Sequence, residues 1–353
     1  MNDDFQLLSH YDRTTWPEWG SAPRGPLIDC DMAHKGELLD TVIGPDPSTG
    51  KSRVYYVLRC ELCILTHIFP LPDPDALAAY YTDQFYQMDH IDYVVRYEYD
   101  RMWWETCVHG PILEQCLEEL GEAVPDPVRF LEIGAGPGIA LDVAKQRFGW
   151  ETNGMEPNHD LCLNLDRRGH DPIFGTLEDH MARRAIYPDV KADMWDILYL
   201  YEVLEHQPNP ESFLLDCYEL LNPGGLIVVV VPNDYAPYQL QAIKQLGLGS
   251  YWLAPPQHLN YFTPKTLQLV LRRAGFSLVD LRGTYPIDQH LLRGQNYIGN
   301  YTLGRQLHQQ RMAEELAVVA AGDWLQREQQ YRDQMRHRIG REIVAIGRKP
   351  VRS

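Results

Sequence analysis

The 353-residue chain carries 32 Lys and Arg against 49 Asp and Glu, a formal net charge of −17 at pH 7. Such an acidic surface repels phosphate backbones, so a nucleic-acid partner is not expected. The longest aliphatic run, LIVVVV at 226–231, is too short to span a bilayer, and the acidic start lacks the pattern of a secretory leader; we therefore expect a cytoplasmic protein without a membrane partner.

Two segments are predicted ahead of the main domain: an N-terminal arm at 1–26 and a zinc-ribbon-like module at 27–75. The module has two pairs of metal-ligand residues, separated by a turn-rich stretch and the β-like run at 53–59. Three sulfurs and one imidazole nitrogen can close a tetrahedral zinc site. Two alternatives stay open: His67 replaces His34 as the fourth ligand, or the thiols are simply buried in a β-hairpin. The predicted zinc ligands are Cys30, His34, Cys60 and Cys63.

The next segment, 76–125, is rich in aromatic residues and ends in the amphipathic stretch 110–122. Aromatic residues at three- and four-residue spacing are more typical of packed helices than of a substrate box. We therefore predict a helical cap over the ligand cleft of the domain that follows.

From residue 126 onward, apolar strand-like runs alternate regularly with helical patterns, which indicates a parallel sheet with crossover helices over 126–285. The first strand runs into LEIGAGPGIA at 131–140, a turn whose glycines let the backbone approach a ligand at a helix N-terminus. A dinucleotide fingerprint needs G-x-G-x-x-G, and here the third glycine comes one residue early. An acid before G-x-G-x-G is typical of S-adenosylmethionine (SAM) sites. The predicted cofactor contacts in this turn are Glu132, Gly134, Ala135, Gly136 and Gly138.

A second acid supports a nucleoside ligand, because Glu156 follows Gly134 by 22 residues, after a second strand-like run. A carboxylate at this place can accept hydrogen bonds from both ribose hydroxyls.

The last core strand is predicted only in the segment 341–353, which also holds the tail. Residues 286–340 therefore form an insertion, predicted as two amphipathic helices. We expect this insertion to act as a substrate lid or as the surface of a homo-oligomer, and the residues alone do not choose between the two.

These motifs, in this order, resemble the class I SAM-dependent methyltransferases from about residue 128 to residue 276, and again at the last strand. The segment 195–206 is similar to the family's fourth strand and the loop beside the reacting methyl group, and 220–233 is similar to its fifth strand. The resemblance implies a Rossmann-like α/β fold with a seven-stranded core and SAM as cofactor. It also implies that Glu156 binds the ribose, and that further cofactor contacts come from Leu177, Glu178 and Tyr201.

The loop after the predicted fourth strand has E-x-x-E-H spacing at Glu202, Glu205 and His206, and one helical turn would bring Glu202 against the other two. The motif resembles that of ubiquinone-pathway and small-RNA 2'-O-methyltransferases, in which it binds magnesium together with a second histidine. His258 occupies the matching place in HLNYF. Such an ion would lower the pKa of an acceptor hydroxyl. Alternatively, His206 acts without metal as the base or packs under the cofactor.

The cysteine module and the H-x-x-Y-F segment also resemble those of sugar and natural-product methyltransferases, including deoxysugar C-methyltransferases. We therefore expect O-methylation of a small polar acceptor, such as a sugar, a nucleotide-sugar or a natural product. Two alternatives are C-methylation of a keto-deoxysugar nucleotide and a non-catalytic protein that binds SAM or zinc. The predicted catalytic residues are Glu202, Glu205, His206 and His258.

Overall fold

A computed structural model of the chain describes residues 36–60, 63–80, 95, 97–121, 124–186 and 194–351. Its strands form a seven-stranded sheet and a four-stranded sheet. The strands are β1 (Gly36–Pro45), β2 (Ser52–Cys60), β3 (Thr66–Phe69), β4 (Arg129–Ile133), β5 (Glu151–Glu156), β6 (Asp171–Phe174), β7 (Trp195–Tyr201), β8 (Leu221–Pro232), β9 (Asn260–Tyr261), β10 (Ser277–Gly283) and β11 (Glu342–Arg348).

The helices alternate with the strands of the large sheet, as crossover connections between parallel strands require. They are α1 (Pro74–Ala79), α2 (Arg101–Trp103), α3 (Gly110–Leu120), α4 (Ile139–Phe148), α5 (His159–Arg167), α6 (Leu177–Ile186), α7 (Pro210–Leu220), α8 (Pro237–Leu246), α9 (Pro264–Arg273), α10 (Gln289–Leu292), α11 (Tyr301–Ala320) and α12 (Trp324–Arg336). A π-helical stretch, Trp104–His109, joins α2 to α3, and a 3₁₀ turn, Leu204–His206, follows β7.

The seven-stranded sheet confirms the predicted Rossmann-like class I core. Its strand order is β10-β11-β8-β7-β4-β5-β6. The neighbours from β8 to β6 are parallel, whereas β11 is antiparallel to both β8 and β10. The run from Leu226 to Val231 is fully buried in β8, between β7 and β11, which explains its uninterrupted apolar sequence.

The four-stranded antiparallel sheet joins the N-terminal residues to the core, in the order β1-β2-β3-β9. The strand β9 begins two residues after the predicted site residue His258, and it pairs with β3 through Thr66 opposite Tyr261 and His67 opposite Asn260. Because β9 belongs to the core chain, this pairing fixes the small sheet beside the carboxyl ends of the core strands.

The segment between β10 and β11 holds the helices α11 and α12. The α11 helix carries a buried carboxylate, Glu315, which accepts hydrogen bonds from Trp103 Nε1 of α2 at 2.8 Å and from the Tyr331 hydroxyl of α12 at 2.6 Å. The Arg311 guanidinium lies 4.6 Å from the centre of the Trp103 ring. These contacts connect the insertion to α2.

No helix among the described ranges is long and apolar enough to cross a membrane.

Candidate active site

The glycine turn lies between β4 and α4, at the point where the chain order of the parallel strands reverses. Gly134, Gly136 and Gly138 all have positive φ angles, of 71°, 49° and 72°. A Cβ atom on Gly136 would meet nothing within 4 Å, so this position opens onto free space. Such a turn can hold a ligand against its backbone and against the N-terminus of α4.

The two predicted acids flank this turn at the ends of β4 and β5. The Glu156 carboxylate is fully buried and accepts hydrogen bonds at 2.9 Å from the amides of Gly136 and Asn158. The Glu132 side chain is also buried, and burial raises the pKa of its carboxyl group well above the usual range. A carboxylate has about four lone-pair sites, so Glu156 can still accept ribose hydroxyl donors while holding the turn.

The other predicted cofactor contacts lie at the carboxyl ends of neighbouring strands. Leu177 is buried at the start of α6, after β6, and Glu178 is exposed beside it. Tyr201 ends β7, and its ring lies edge-on to Trp104 at 5.7 Å between centroids. Since β7, β4, β5 and β6 are adjacent, the structure brings these positions to the same edge of the sheet as the glycine turn.

The loop after β7 closes directly against the glycine turn. A Cβ atom built on Gly134 would lie 2.7 Å from Val203 Cγ2. Glu205 and His206 follow Val203 in this loop. Together with His258, they each place one potential ligand atom within 4.8 Å of the others. The backbone amide of Leu259 donates to the Glu205 carbonyl at 2.9 Å and holds the two segments together. An acid and two imidazoles therefore lie beside the predicted cofactor turn.

Within this group, Glu205 is fully buried and neither carboxylate oxygen has a hydrogen-bond partner among the described residues. Burial, with the nearby Glu202 and Asp234, raises the pKa of the Glu205 carboxyl well above the usual range. Unpartnered buried carboxylates are rare, because desolvation strongly penalises the charged form. A proton on the Glu205 carboxyl group, or a cation bound beside it, would offset this desolvation cost.

The pKa values of the two histidines are lowered, the opposite direction to that of Glu205. His206 Nδ1 lies 2.7 Å from the Gln257 carbonyl, which can only accept, so Nδ1 carries the hydrogen. Burial lowers the pKa of His206, and burial together with His206 lowers the pKa of His258 to about 3. The two rings meet edge to face, with centroids 5.0 Å apart.

Glu202 departs from the predicted arrangement. The helical turn begins only at Leu204, so Glu202 precedes it, with a φ angle of 53°, and is exposed. It lies outside the group formed by Glu205 and the two histidines, although it is near enough to raise the pKa of Glu205. The prediction that one helical turn holds Glu202 against Glu205 and His206 is therefore not met.

Comparison with known proteins matches this geometry to a family. A family described as "Methyltransferase domain" matches residues 111–281. Over these residues the chain is similar to methyltransferase domains, in line with the resemblance to the class I SAM-dependent methyltransferases. The ubiquinone biosynthesis O-methyltransferase of Cereibacter sphaeroides (strain ATCC 17029) is 29% identical over 160 residues, which cover 44% of this chain and 63% of that protein. This chain thus matches less than two thirds of that relative's length.

Two further proteins extend the comparison. The ubiquinone biosynthesis O-methyltransferase of Maricaulis maris is 26% identical over 191 residues, which cover 52% of this chain and 73% of that protein. A crystal structure of a SAM-dependent methyltransferase from Archaeoglobus fulgidus has a TM-score of 0.44 and 16% identity, and the match covers 72% of this chain and 99% of that one.

The structure also brings together part of the predicted zinc site. Cys60, Cys63 and His67 are buried and place their ligand atoms within 4.8 Å of one another. The first predicted pair, Cys30 and His34, lies outside the described residues. Cys60 ends β2, Cys63 lies in the following turn and His67 is in β3, so the hairpin geometry assembles the three.

Two residues that no sequence motif marks act electrostatically on this group, since Asp234 raises the pKa of Glu205 and Arg341 lowers the pKa of His258. Asp234 follows β8, and Arg341 immediately precedes β11. The signal for Asp234 is an acid just after a buried strand, at the carboxyl edge of the sheet. No local pattern marks Arg341, because only the pairing of β11 with β8 brings it to the same edge.

Proposed function

We propose that this methyltransferase transfers the methyl group of SAM to a hydroxyl oxygen of a small polar acceptor. The observation that carries the proposal is the position of the acid and imidazole group, because the loop that holds Glu205 and His206 rests through Val203 on Gly134. A group that can take a proton therefore lies beside the turn that would hold the sulfonium. The relatives named as O-methyltransferases support the same reaction class.

The SAM site fits the residues present. The turn is open at Gly136, Glu156 can receive the ribose hydroxyls, and Glu132 and Tyr201 border the methionine side. In the transfer, the acceptor oxygen bonds to the methyl carbon as the carbon–sulfur bond breaks, and S-adenosylhomocysteine (SAH) leaves. His206 takes the hydroxyl proton, and a well-placed base contributes about 10²–10⁴-fold to the rate.

As the alternative to His206 acting as the base, we propose that Glu205, His206 and His258 hold a divalent ion, and the unpartnered oxygens of Glu205 are the observation that fits it. When bound, such an ion supplies positive charge that lowers the pKa of an acceptor hydroxyl. Magnesium prefers oxygen donors, so two imidazoles favour a transition ion such as manganese.

For the cysteine module we propose structural zinc, held by Cys60, Cys63 and His67 with Cys30 as a further ligand. Two thiolates and one imidazole from a β-hairpin are typical zinc donors. The net charge of −17 supports a small-molecule substrate over nucleic acid. From the sequence we also propose a cytoplasmic location. Residues 286–340 are proposed to act as a substrate lid or as the surface of a homo-oligomer.

The reaction is tested by incubating the purified protein with methyl-labelled SAM and a panel of sugar nucleotides, followed by mass spectrometry. NMR of any product assigns the new methyl group to oxygen or to carbon. A label on carbon would replace O-methylation with the C-methyl alternative. A protein that binds neither SAM nor SAH would overturn the assignment altogether.

A further inference from the structure

Three hydrogen bonds join the turn of Glu205 and His206 to the segment 257–260, which holds His258. They run from His206 Nδ1 to the Gln257 carbonyl at 2.7 Å, from the Leu259 amide to the Glu205 carbonyl at 2.9 Å, and from Asn260 Nδ2 to the Gln207 carbonyl at 2.7 Å. The Asn260 side chain is fully buried, so water does not compete for its bond. This segment therefore sets the positions of the acid and the two imidazoles relative to one another.

The same segment is held on its other side by the strand β3. The Ile68 amide donates to the Leu259 carbonyl at 2.9 Å. Leu259 thus bonds to β3 through its carbonyl and to the turn of Glu205 through its amide. One residue away, His67 pairs with Asn260 in the ladder between β3 and β9. Two consecutive backbone hydrogen bonds therefore connect β3 to the acid and imidazole group.

The strand β3 carries one residue of the cysteine cluster, which consists of Cys60, Cys63 and His67. The ligand atoms of the cluster come from the end of β2, the following turn and β3, and a zinc ion bound to all three would tie these parts together. The two cysteines also share a buried apolar cluster with Leu204, the first residue of the 3₁₀ turn. Because β3 has four residues and β9 only two, the ladder between them is too short to hold the segment firmly by itself.

We propose that zinc in the cysteine cluster positions the acid and imidazole group for methyl transfer, with Asn260 as a positioning residue between the two. The inference rests on the proposed zinc site and on the proposed methyl transfer. Loss of the zinc loosens the pairing of β3 with β9, and the segment 257–260 then moves relative to the turn at 205–207. The glycine turn at 131–140 makes none of these hydrogen bonds. Zinc therefore controls the rate of methyl transfer and leaves the affinity for SAM unchanged.

The role of the zinc is tested with two cysteine variants of the SAH-loaded protein. C63S removes a zinc ligand, whereas C217S alters a fully buried thiol outside the cysteine cluster and is the matched control. By elemental analysis, C63S should contain less zinc than C217S. By mass spectrometry, the amides of 257–260 should exchange about 10-fold faster in C63S, because exchange follows the free energy of local opening. Exchange at 131–140 and the affinity for SAH should be the same in both variants.

The role of Asn260 is tested by N260D, which leaves the zinc ligands unchanged. A carboxylate has nearly the shape of the amide but no N–H to donate to the Gln207 carbonyl. The matched control N222D removes a similar donor at the opposite edge of the sheet, where Asn222 Nδ2 donates to Asp196 Oδ1 at 2.8 Å. N260D should lose about 10-fold in turnover and keep its zinc and its SAH affinity, whereas N222D should keep all three. The ring ¹⁵N signals of His206, assigned with H206A, should shift in N260D and in C63S but not in N222D.

The outcomes separate the inference from the proposals on which it rests. Zinc retained in C63S would refute the zinc site and the inference with it. Zinc loss without faster exchange at 257–260, or with an equal rise at 131–140, would overturn the inference alone. Where C63S does not fold, wild-type turnover and an unshifted His206 signal in N260D would overturn it. A wild type that transfers no methyl group would instead refute the proposed function, and the exchange and NMR results would still show whether the cluster holds the turn.

Discussion

Substitution of Gly134 by valine should disrupt the SAM site through one identifiable contact. The residue has a φ angle of 71°, and its new Cβ would lie 2.7 Å from Val203 Cγ2. The left-handed backbone costs a non-glycine residue about 1–2 kcal/mol. Overpacking against Val203 adds about 1–3 kcal/mol. Together these terms lower the free energy of unfolding by about 2–5 kcal/mol, and the turn shifts to relieve the overlap.

Gly149 offers a matched control at the other end of the same helix. Its φ angle is 70°, and a Cβ atom there would meet nothing within 4 Å. The G149V variant therefore carries the backbone cost without the collision, and should lose about 1–2 kcal/mol. The difference between the two variants measures the contact with Val203.

Urea unfolding gives the stabilities, and calorimetry with SAH gives the affinities. We expect G149V to bind SAH like the wild type, and G134V to lose about 3 kcal/mol of binding, or roughly 100-fold in Kd. If G134V does not fold, the smaller change G134A keeps the same Cβ contact. Equal SAH affinity in a folded G134 variant and in G149V would refute the placement of the cofactor at this turn.

Three further outcomes follow from the site. The variant H206A should keep the SAH affinity of the wild type and lose about 10²–10⁴-fold in turnover, measured with labelled SAM. The control H337A, at an exposed position, should retain both SAH affinity and turnover. Wild-type turnover in H206A would exclude His206 as the base. The pKa of Glu205 is raised in the folded state, so the free energy of unfolding of the wild type should fall as pH rises above about 4.5, the ordinary pKa. In urea unfolding with a chelator present, the E205Q substitution should therefore stabilise the protein more at pH 8 than at pH 5. An equal gain at both pH values would contradict the raised pKa. Elemental analysis should find less zinc in the variant C63S than in the control C217S, because Cys217 is a buried thiol outside the cluster. Equal zinc content in the two variants would exclude Cys63 as a ligand.

The local motifs of the core were predictable because they depend on residues close in sequence. The turn at 131–140 needs its glycines to take positive φ angles, and β8 needs a continuous apolar run to be buried on both faces. The E-x-x-E-H motif was only partly predictable. Spacing indicates a helical turn, but the start of that turn at Leu204 depends on how the chain leaves β7.

The sequence by itself determined the class of fold and the kind of cofactor, since both follow from short-range patterns of glycine, acid and apolar residues. Only the tertiary structure decided which distant side chains meet. His258 reaches Glu205 because the Leu259 amide pairs with the Glu205 carbonyl, and Arg341 comes to the edge of the sheet that holds Asp234 because β11 pairs with β8. Strand order sets such contacts, and residues more than 100 positions apart carry no local trace of it.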